Sequence, residues 1–281
     1  FRPDLRLLAM SATLDGARFS QLMDDAPVLE SEGKRWPLEY LYVGRRTEQT
    51  IEIDIVRTVR QALSEQQGDL LVFLPGVREI DRAFDALGAC GDDIVVHKLH
   101  GQIDLAAQRL AVWRDVAGRR KVIFATNIAE TSLTIDGVRV VIDSGLARRA
   151  RFDQAAGVSR LVTERASLSA AMQRAGRAAR QQAGIAYRLW EEAGNGGLPP
   201  FDPPEILESD LAPLLLDCAR WGENDPAKLR WLDLPPAAAV QQARKLLMSV
   251  DALDAQGHMT PHGTMLANLP LPPNLAHMVA V

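Results

Sequence analysis

Between residues 36 and 190, short apolar runs rich in Val and Ile alternate with helix-patterned segments, and this alternation constrains the fold more than any other feature. The runs at 70–74, 94–99, 121–125 and 138–143 have the length and composition of fully buried strands. Between the first two, Val77, Ile80, Phe84 and Leu87 recur at helical spacing. Strands apolar on both faces must be covered on both faces, so the pattern predicts an α/β lobe built on a parallel sheet. Ligands of such sheets sit at the carboxyl ends of the strands.

The flanks read differently. An apolar run at 5–10 suits a buried strand and looks like the cut end of a larger domain. A helix is expected from about Asp15, carrying Phe19 and Leu22, and a strand at 26–29. The sheet lobe begins near Trp36-Pro37. After Leu198-Pro199-Pro200 the β pattern fades. Pro204 opens a helix expected to run toward Arg220, a second follows over 237–250, and Asp254-Ala255-Gln256-Gly257 could turn a small hairpin. Helix, helix and hairpin suggest a winged helix, with a further helix starting at 274–281. At about 150 residues per domain, a 281-residue chain has room for one large lobe and a smaller one.

Net charge is −4, yet residues 105–190 hold fifteen Arg and Lys against six Asp and Glu. An anionic ligand would be drawn to that region rather than to the whole surface. No apolar run approaches bilayer length. Cys90 and Cys218 lack CxxC spacing and a Cys/His cluster, which speaks against structural zinc and for a reducing, cytoplasmic setting.

The sharpest local signal is Gln173-Arg174-Ala175-Gly176-Arg177-Ala178-Ala179-Arg180, following Ser167 as a helix cap. On a continuous helix, Gln173, Arg177 and Arg180 fall within a roughly 60° sector while Arg174 points aside. Gly176 hints at close approach of a backbone or ligand. The same residues are compatible with a solvated surface helix. A second signal is Thr126-Asn127-Ile128-Ala129-Glu130-Thr131-Ser132 at the end of the 121–125 strand, where hydroxyls, an amide and free N–H groups suit phosphate oxygens. A turn satisfying its own backbone is the plainer reading. Glu130 is awkward beside an anion and reads as organising the loop or pairing with a nearby Arg. A third is Met10-Ser11-Ala12-Thr13, and a fourth Leu71-Val72-Phe73-Leu74-Pro75-Gly76.

In order and spacing, these segments resemble motifs III to VI of the DEAH-box helicase family, and the resemblance runs over essentially the whole chain. The stretch from Ala125 to Ile135 is the most specific. The resemblance implies a RecA-like second helicase lobe (33–198), preceded by the end of a first lobe (1–32) and followed by a winged helix (199–268) and the start of a helical domain (269–281). It implies ATP-dependent translocation on single-stranded RNA or DNA. By resemblance Arg177 and Arg180 are arginine fingers, Gln173 holds the γ-phosphate and attacking water, and Asp136 contacts the nucleotide. Thr126, Asn127 and Thr131 resemble positions that touch the nucleic-acid backbone or relay nucleotide state to it, His100 resembles a minor nucleic-acid contact, and Ser11 and Thr13 resemble the motif that couples the lobes. Arg148, Arg149 and Arg151 would widen a basic track.

The chain departs from the family in three places. Ala179 stands where motif VI has Gly. Ala111 occupies the position at which relatives stack adenine on an aromatic, with Trp113 two residues on. Neither GxxxxGK[ST] nor Asp-Glu-x-His occurs, so the main elements for ATP and Mg²⁺ would come from the missing first lobe, and no metal ligands are assigned here. His258 and His262 have i, i+4 spacing, but Pro261 and Gly263 argue against zinc. The rival readings are a non-catalytic module binding RNA or a protein partner, and a nucleotide-binding oxidoreductase, for which no strand is followed by GxGxxG.

Overall fold

The computed structural model describes residues 4–10, 15–31, 36–46, 48–131, 133–153 and 157–281. Ser11 and Thr13 lie outside the described residues. In chain order the elements are α1 (Gly16–Leu22), β1 (Leu38–Tyr42), α2 (Ile51–Glu65), β2 (Asp69–Phe73), α3 (Val77–Leu87), β3 (Ile94–Leu99), α4 (Leu105–Val112) and β4 (Arg120–Ala125). They continue with α5 (Ile128–Thr131), β5 (Val138–Asp143), β6 (Leu146–Asp153), β7 (Val158–Arg165), α6 (Leu168–Gly176), β8 (Gly184–Arg188), α7 (Ala212–Arg220), α8 (Ala237–Ser249), α9 (Pro261–Leu266) and α10 (Pro273–Ala280).

Six strands form one sheet in the order β1-β8-β5-β2-β4-β3, every pairing parallel. Successive side chains of a strand face opposite ways, and here each strand feeds two cores. Leu70, Val72, Val122, Phe124, Val140 and Ile142 pack with Ile55 and Val59 of α2 and Ile80 of α3. Their alternates Leu71, Phe73, Ile123, Ala125 and Val141 pack with Ala111 of α4 and Ala175 of α6. Each fully buried Leu, Ile or Phe contributes on the order of 1.5–3 kcal/mol. The RecA-like α/β lobe expected from the sequence is the fold found. β1 and β8, which carry polar residues within them, escape the buried-run criterion, as does the two-stranded β6–β7 sheet.

The chain resolves into two compact units: one comprises the described residues of 32–149 and 161–202, the other those of 1–31, 150–160 and 203–281. In the second unit, Leu211, Leu215, Leu216, Leu247, Leu253 and Leu266 form a helical core. The hairpin expected at 254–257 is a turn closed by one antiparallel bridge, Leu253 to Met259, with Asp254 Oδ1 accepting from the Gln256 and His258 amides.

Three expectations are corrected. Residues 5–10 and 26–29 are not strands: a strand exists through its ladder, no described strand pairs with either, and Leu7, Leu8 and Met10 stay exposed. The helix expected from Pro204 is interrupted. Glu205–Leu207 make a 3₁₀ turn, and α7 starts at Ala212, whose amide donates to Asp210 while Pro213 sits in its first turn.

Candidate functional site

β3 and β4 end side by side, Leu99 opposite Ala125, so His100 and the Thr126-Asn127 turn emerge together at the carboxyl edge. The Thr126 amide donates to Leu99 O at 3.2 Å. Asn127 is exposed, and His100 Nδ1 accepts from the Gln102 amide. The Ala129 and Glu130 amides donate back to Thr126 O and Asn127 O, so α5 spends two of the N–H groups expected for phosphate on its own backbone. Thr131 closes α5, and its side chain lies outside the described residues.

Ser167 caps α6 as expected, its Oγ accepting from the Ala170 amide at 3.1 Å. The helix stops at Gly176, however. The amides of Arg177, Ala178 and Ala179 bond three residues back, to Arg174, Ala175 and Gly176, so the ladder tightens into 3₁₀ turns. The single sector of Gln173, Arg177 and Arg180 is therefore not realised. Gln173 is half-buried and bonded, Arg177 is 6% exposed, and Arg180 is exposed. The close backbone approach anticipated at Gly176 is not found among the described residues, none of which beyond its helix neighbours would come within 4 Å of a Cβ there.

Arg177 turns inward. Its Nε donates to Glu130 O at 2.7 Å, and its two terminal nitrogens donate to Glu130 O and Leu133 O. Burial, with Arg180 adding to it, lowers its pKa to about 10. Arg180 Nη1 donates to Thr134 Oγ1 at 2.8 Å, and Gln181 Nε2 to Asp136 Oδ1 at 3.0 Å. The Asp136 amide in turn donates to Val112 O, beside Trp113, which is 69% exposed. Arg180, Asp136 and Trp113 are thus gathered by Thr134, Gln181 and Val112, while Ala111 is wholly buried and has no face to offer a base.

Arg174, expected to point aside, is instead the buried centre of the site. At 2% exposure it reaches Glu130 Oε2 and Asp143 Oδ1, both at 3.0 Å, and donates to Leu146 O at 3.0 Å. Burial would lower its pKa, but the two carboxylates outweigh that and raise it. Glu130 is raised by burial and partly restored by Arg174. Glu130 therefore pairs with a nearby Arg, one of the two roles its position suggested. An arginine spaced off the others by one helical residue gave no sequence signal of this.

Part of the basic surplus of the middle region is paired with carboxylates within the fold. Arg148 meets Glu79 at 2.9 Å, Arg149 meets Glu164 and Asp202, and Arg151 meets Glu208. These three arginines anchor the β6–β7 hairpin and do not form the free basic track expected of them. His258 pairs with Asp254, and His262 Nε2 lies 2.9 Å from His277 Nδ1. Among the described residues no three His, Cys, Asp or Glu cluster as metal ligands, and no helix is long and apolar enough to cross a membrane.

Residues 53–182 match the helicase conserved C-terminal domain. Over 279 residues the chain is 41% identical to the ATP-dependent RNA helicase HrpB of Escherichia coli (strain K12), covering 99% of this chain and 34% of that protein. It is 36% identical over 288 residues to a probable ATP-dependent RNA helicase, DHR2, of Saccharomyces cerevisiae, covering 99% of this chain and 39% of that one. Two crystal structures of E. coli HrpB match over 99% of this chain, and 34% and 36% of theirs, with TM-scores of 0.87 and 0.93 at 41% identity. The chain spans about a third of the length of these relatives.

Proposed function

We propose, from the match of residues 53–182 to the helicase conserved C-terminal domain, that the chain supplies the second RecA-like lobe, with an adjoining winged-helix region, of an ATP-dependent RNA helicase. The observation that carries this reading is the seam between the 126–136 segment and the exit of α6. There Arg174, Arg177, Arg180 and Gln181 hold Glu130, Leu133, Thr134 and Asp136. A strand-side loop and a nucleotide-side arginine are joined in one hydrogen-bonded piece.

The exposed Arg180 guanidinium and the half-buried Gln173 and Asp136 suit a nucleotide triphosphate; bound ATP would supply the phosphoryl group whose transfer releases the free energy. Arg180 offsets charge growing on the phosphoryl oxygens, and an inserted guanidinium of this kind contributes about 10³–10⁵ in rate. Its planar fork does what lysine cannot. Gln173 orients water, and Asp136 orients the nucleotide. Arg177 fixes the loop carbonyls beside Arg180 and acts through that loop. Mg²⁺ would bind with ATP chiefly on elements outside this chain.

On the strand side, Thr126, Asn127, Thr131 and His100 contact sugar and phosphate from adjacent strand ends. Such contacts are blind to sequence and weaken with salt. With Arg148, Arg149 and Arg151 committed to carboxylates, polar and backbone groups rather than free cations provide the grip. The coupling role of Ser11 and Thr13 and the lobe boundaries at 32/33, 198/199 and 268/269 belong to the same proposal.

The test is RNA-stimulated phosphate release by the longer protein beside the same assay on this chain. The reading expects turnover in the former and no multiple turnover in the latter. Robust turnover by this chain alone overturns it, and RNA binding without any hydrolysis by the longer protein favours a non-catalytic module.

A further inference from the structure

Lys121, in the β4 strand, carries chemistry that the motif reading leaves unused. Although charged, it is wholly buried. Burying an ammonium costs several kcal/mol unless it is paired and bonded, so its surroundings show what it serves. Its Nζ donates to Ala111 O at 3.0 Å and Trp113 O at 2.7 Å, and stands 3.7 Å from Asp69 Oδ2. The intervening carbonyl, Val112 O, takes the Asp136 amide. Three consecutive carbonyls at the C-terminal end of α4 are thereby held, two by one lysine, where a helix leaves its acceptors orphaned and favours a cation.

Asp69 grips the other side. Its Oδ1 accepts from the Lys121 amide at 2.8 Å, its own amide donates to Gly137 O at 3.1 Å, and a Cβ on Gly137 (φ +85°) would come within 2.7 Å of Oδ2. Only glycine tolerates both that φ and that contact. The Lys121–Asp69 pair therefore clamps the turn presenting Trp113 against the turn presenting Asp136.

We infer that Lys121 is a positioning residue for the nucleoside end of the bound nucleotide, holding the exposed Trp113 ring and the Asp136 carboxylate in one fixed relation. The inference rests on the nucleotide-site reading above. It assigns the clamp to the base and ribose, not to the phosphates, which Arg180 meets.

The test uses the longer protein with saturating RNA. Lys121→Met keeps the volume and removes the donor. The KM for ATP should rise about tenfold, kcat should stay within about twofold, and inhibition by inorganic tripolyphosphate, which has neither base nor ribose, should be unchanged. An unaltered KM, a loss confined to kcat, or a parallel loss of tripolyphosphate affinity overturns the inference. If the single variant does not fold, Lys121→Met with Asp69→Asn removes both charges and is read against the same outcomes. Trp113→Ala separates the two levels. If it leaves the KM for ATP unchanged, the nucleoside-site reading itself fails. If it raises the KM while Lys121→Met does not, only the clamp fails.

Discussion

Arg177 Nε lies 2.7 Å from the carbonyl oxygen of Glu130, and the same carbonyl receives a second bond from the guanidinium's terminal nitrogen. Three residues on, Arg180 remains exposed with a bond to Thr134. Two arginines of one motif thus do different physical work, one internal and one facing out.

Substitution should separate them. Arg177→Ala leaves the Glu130 and Leu133 carbonyls without their charged donor and should cost about 2–3 kcal/mol of unfolding free energy. Arg180→Ala should stay within about 0.5 kcal/mol of the parent in the same urea titration. In the longer protein Arg180→Ala should lower RNA-stimulated kcat about 10³-fold with the KM for ATP little changed. Equal stability losses in both variants would contradict the division.

The Glu130–Arg174–Asp143 group is buried, so removing its cation strands two carboxylates. Arg174→Met is expected to cost about 3–5 kcal/mol. A triple change that also neutralises Glu130 and Asp143 as Gln and Asn should recover part of that loss. Chemical denaturation with an unchanged m-value is the check, and a loss below about 1 kcal/mol for the single variant would show the pairing to be incidental.

Gly176 offers a contrasting case. It sits in the last turn of α6, and no described residue beyond its helix neighbours comes within 4 Å of where its Cβ would be. Gly176→Ala should therefore stabilise this chain by up to about 1 kcal/mol, measurable as a raised Tm. A loss of ATPase in the longer protein, with stability gained, would place another part of the machine against this surface.

Asp115 gives the pH dependence. Its carboxylate is bonded by the Arg119 side chain and by the Ala117 and Arg119 amides, and the Arg119 side-chain bond is the main reason its pKa is lowered from 3.8 to about 2. A depressed acid pKa stabilises the fold above the unfolded value, and that contribution is lost as pH falls from about 3.8 toward 2. The stability difference between the parent and Asp115→Asn should shrink across that window. Carboxyl NMR should show titration near 2, returning toward 3.8 in Arg119→Ala; an ordinary pKa in the parent would remove the effect.

Much of the fold was legible because burial leaves a local trace. Runs at 94–99 and 138–143 coincide with β3 and β5, and Val77 to Leu87 with α3, since elements that feed the cores carry an excess of Val, Ile and Leu at the spacing of their own geometry. The sheet's β1 and β8 were missed because Leu38–Tyr42 and Gly184–Arg188 carry exposed or polar positions, and the pairing that joins them to each other spans more than a hundred positions. The apolar run at 5–10 failed for the converse reason: apolar character without a ladder partner makes no strand.

What the sequence determined by itself was composition-driven and local: the parallel α/β lobe, the Ser167 cap, and the two segments, 126–132 and 173–180, on which the proposed function centres. Only the tertiary structure decided which arginine of the second segment is spent inside, that Arg174 and Lys121 are buried hubs, and that the Arg148, Arg149 and Arg151 charges answer to carboxylates. A charged side chain is written identically whether it meets water or an opposite charge. Its role is set by the dielectric and the partners around it, and those are assembled from segments that the linear order keeps far apart.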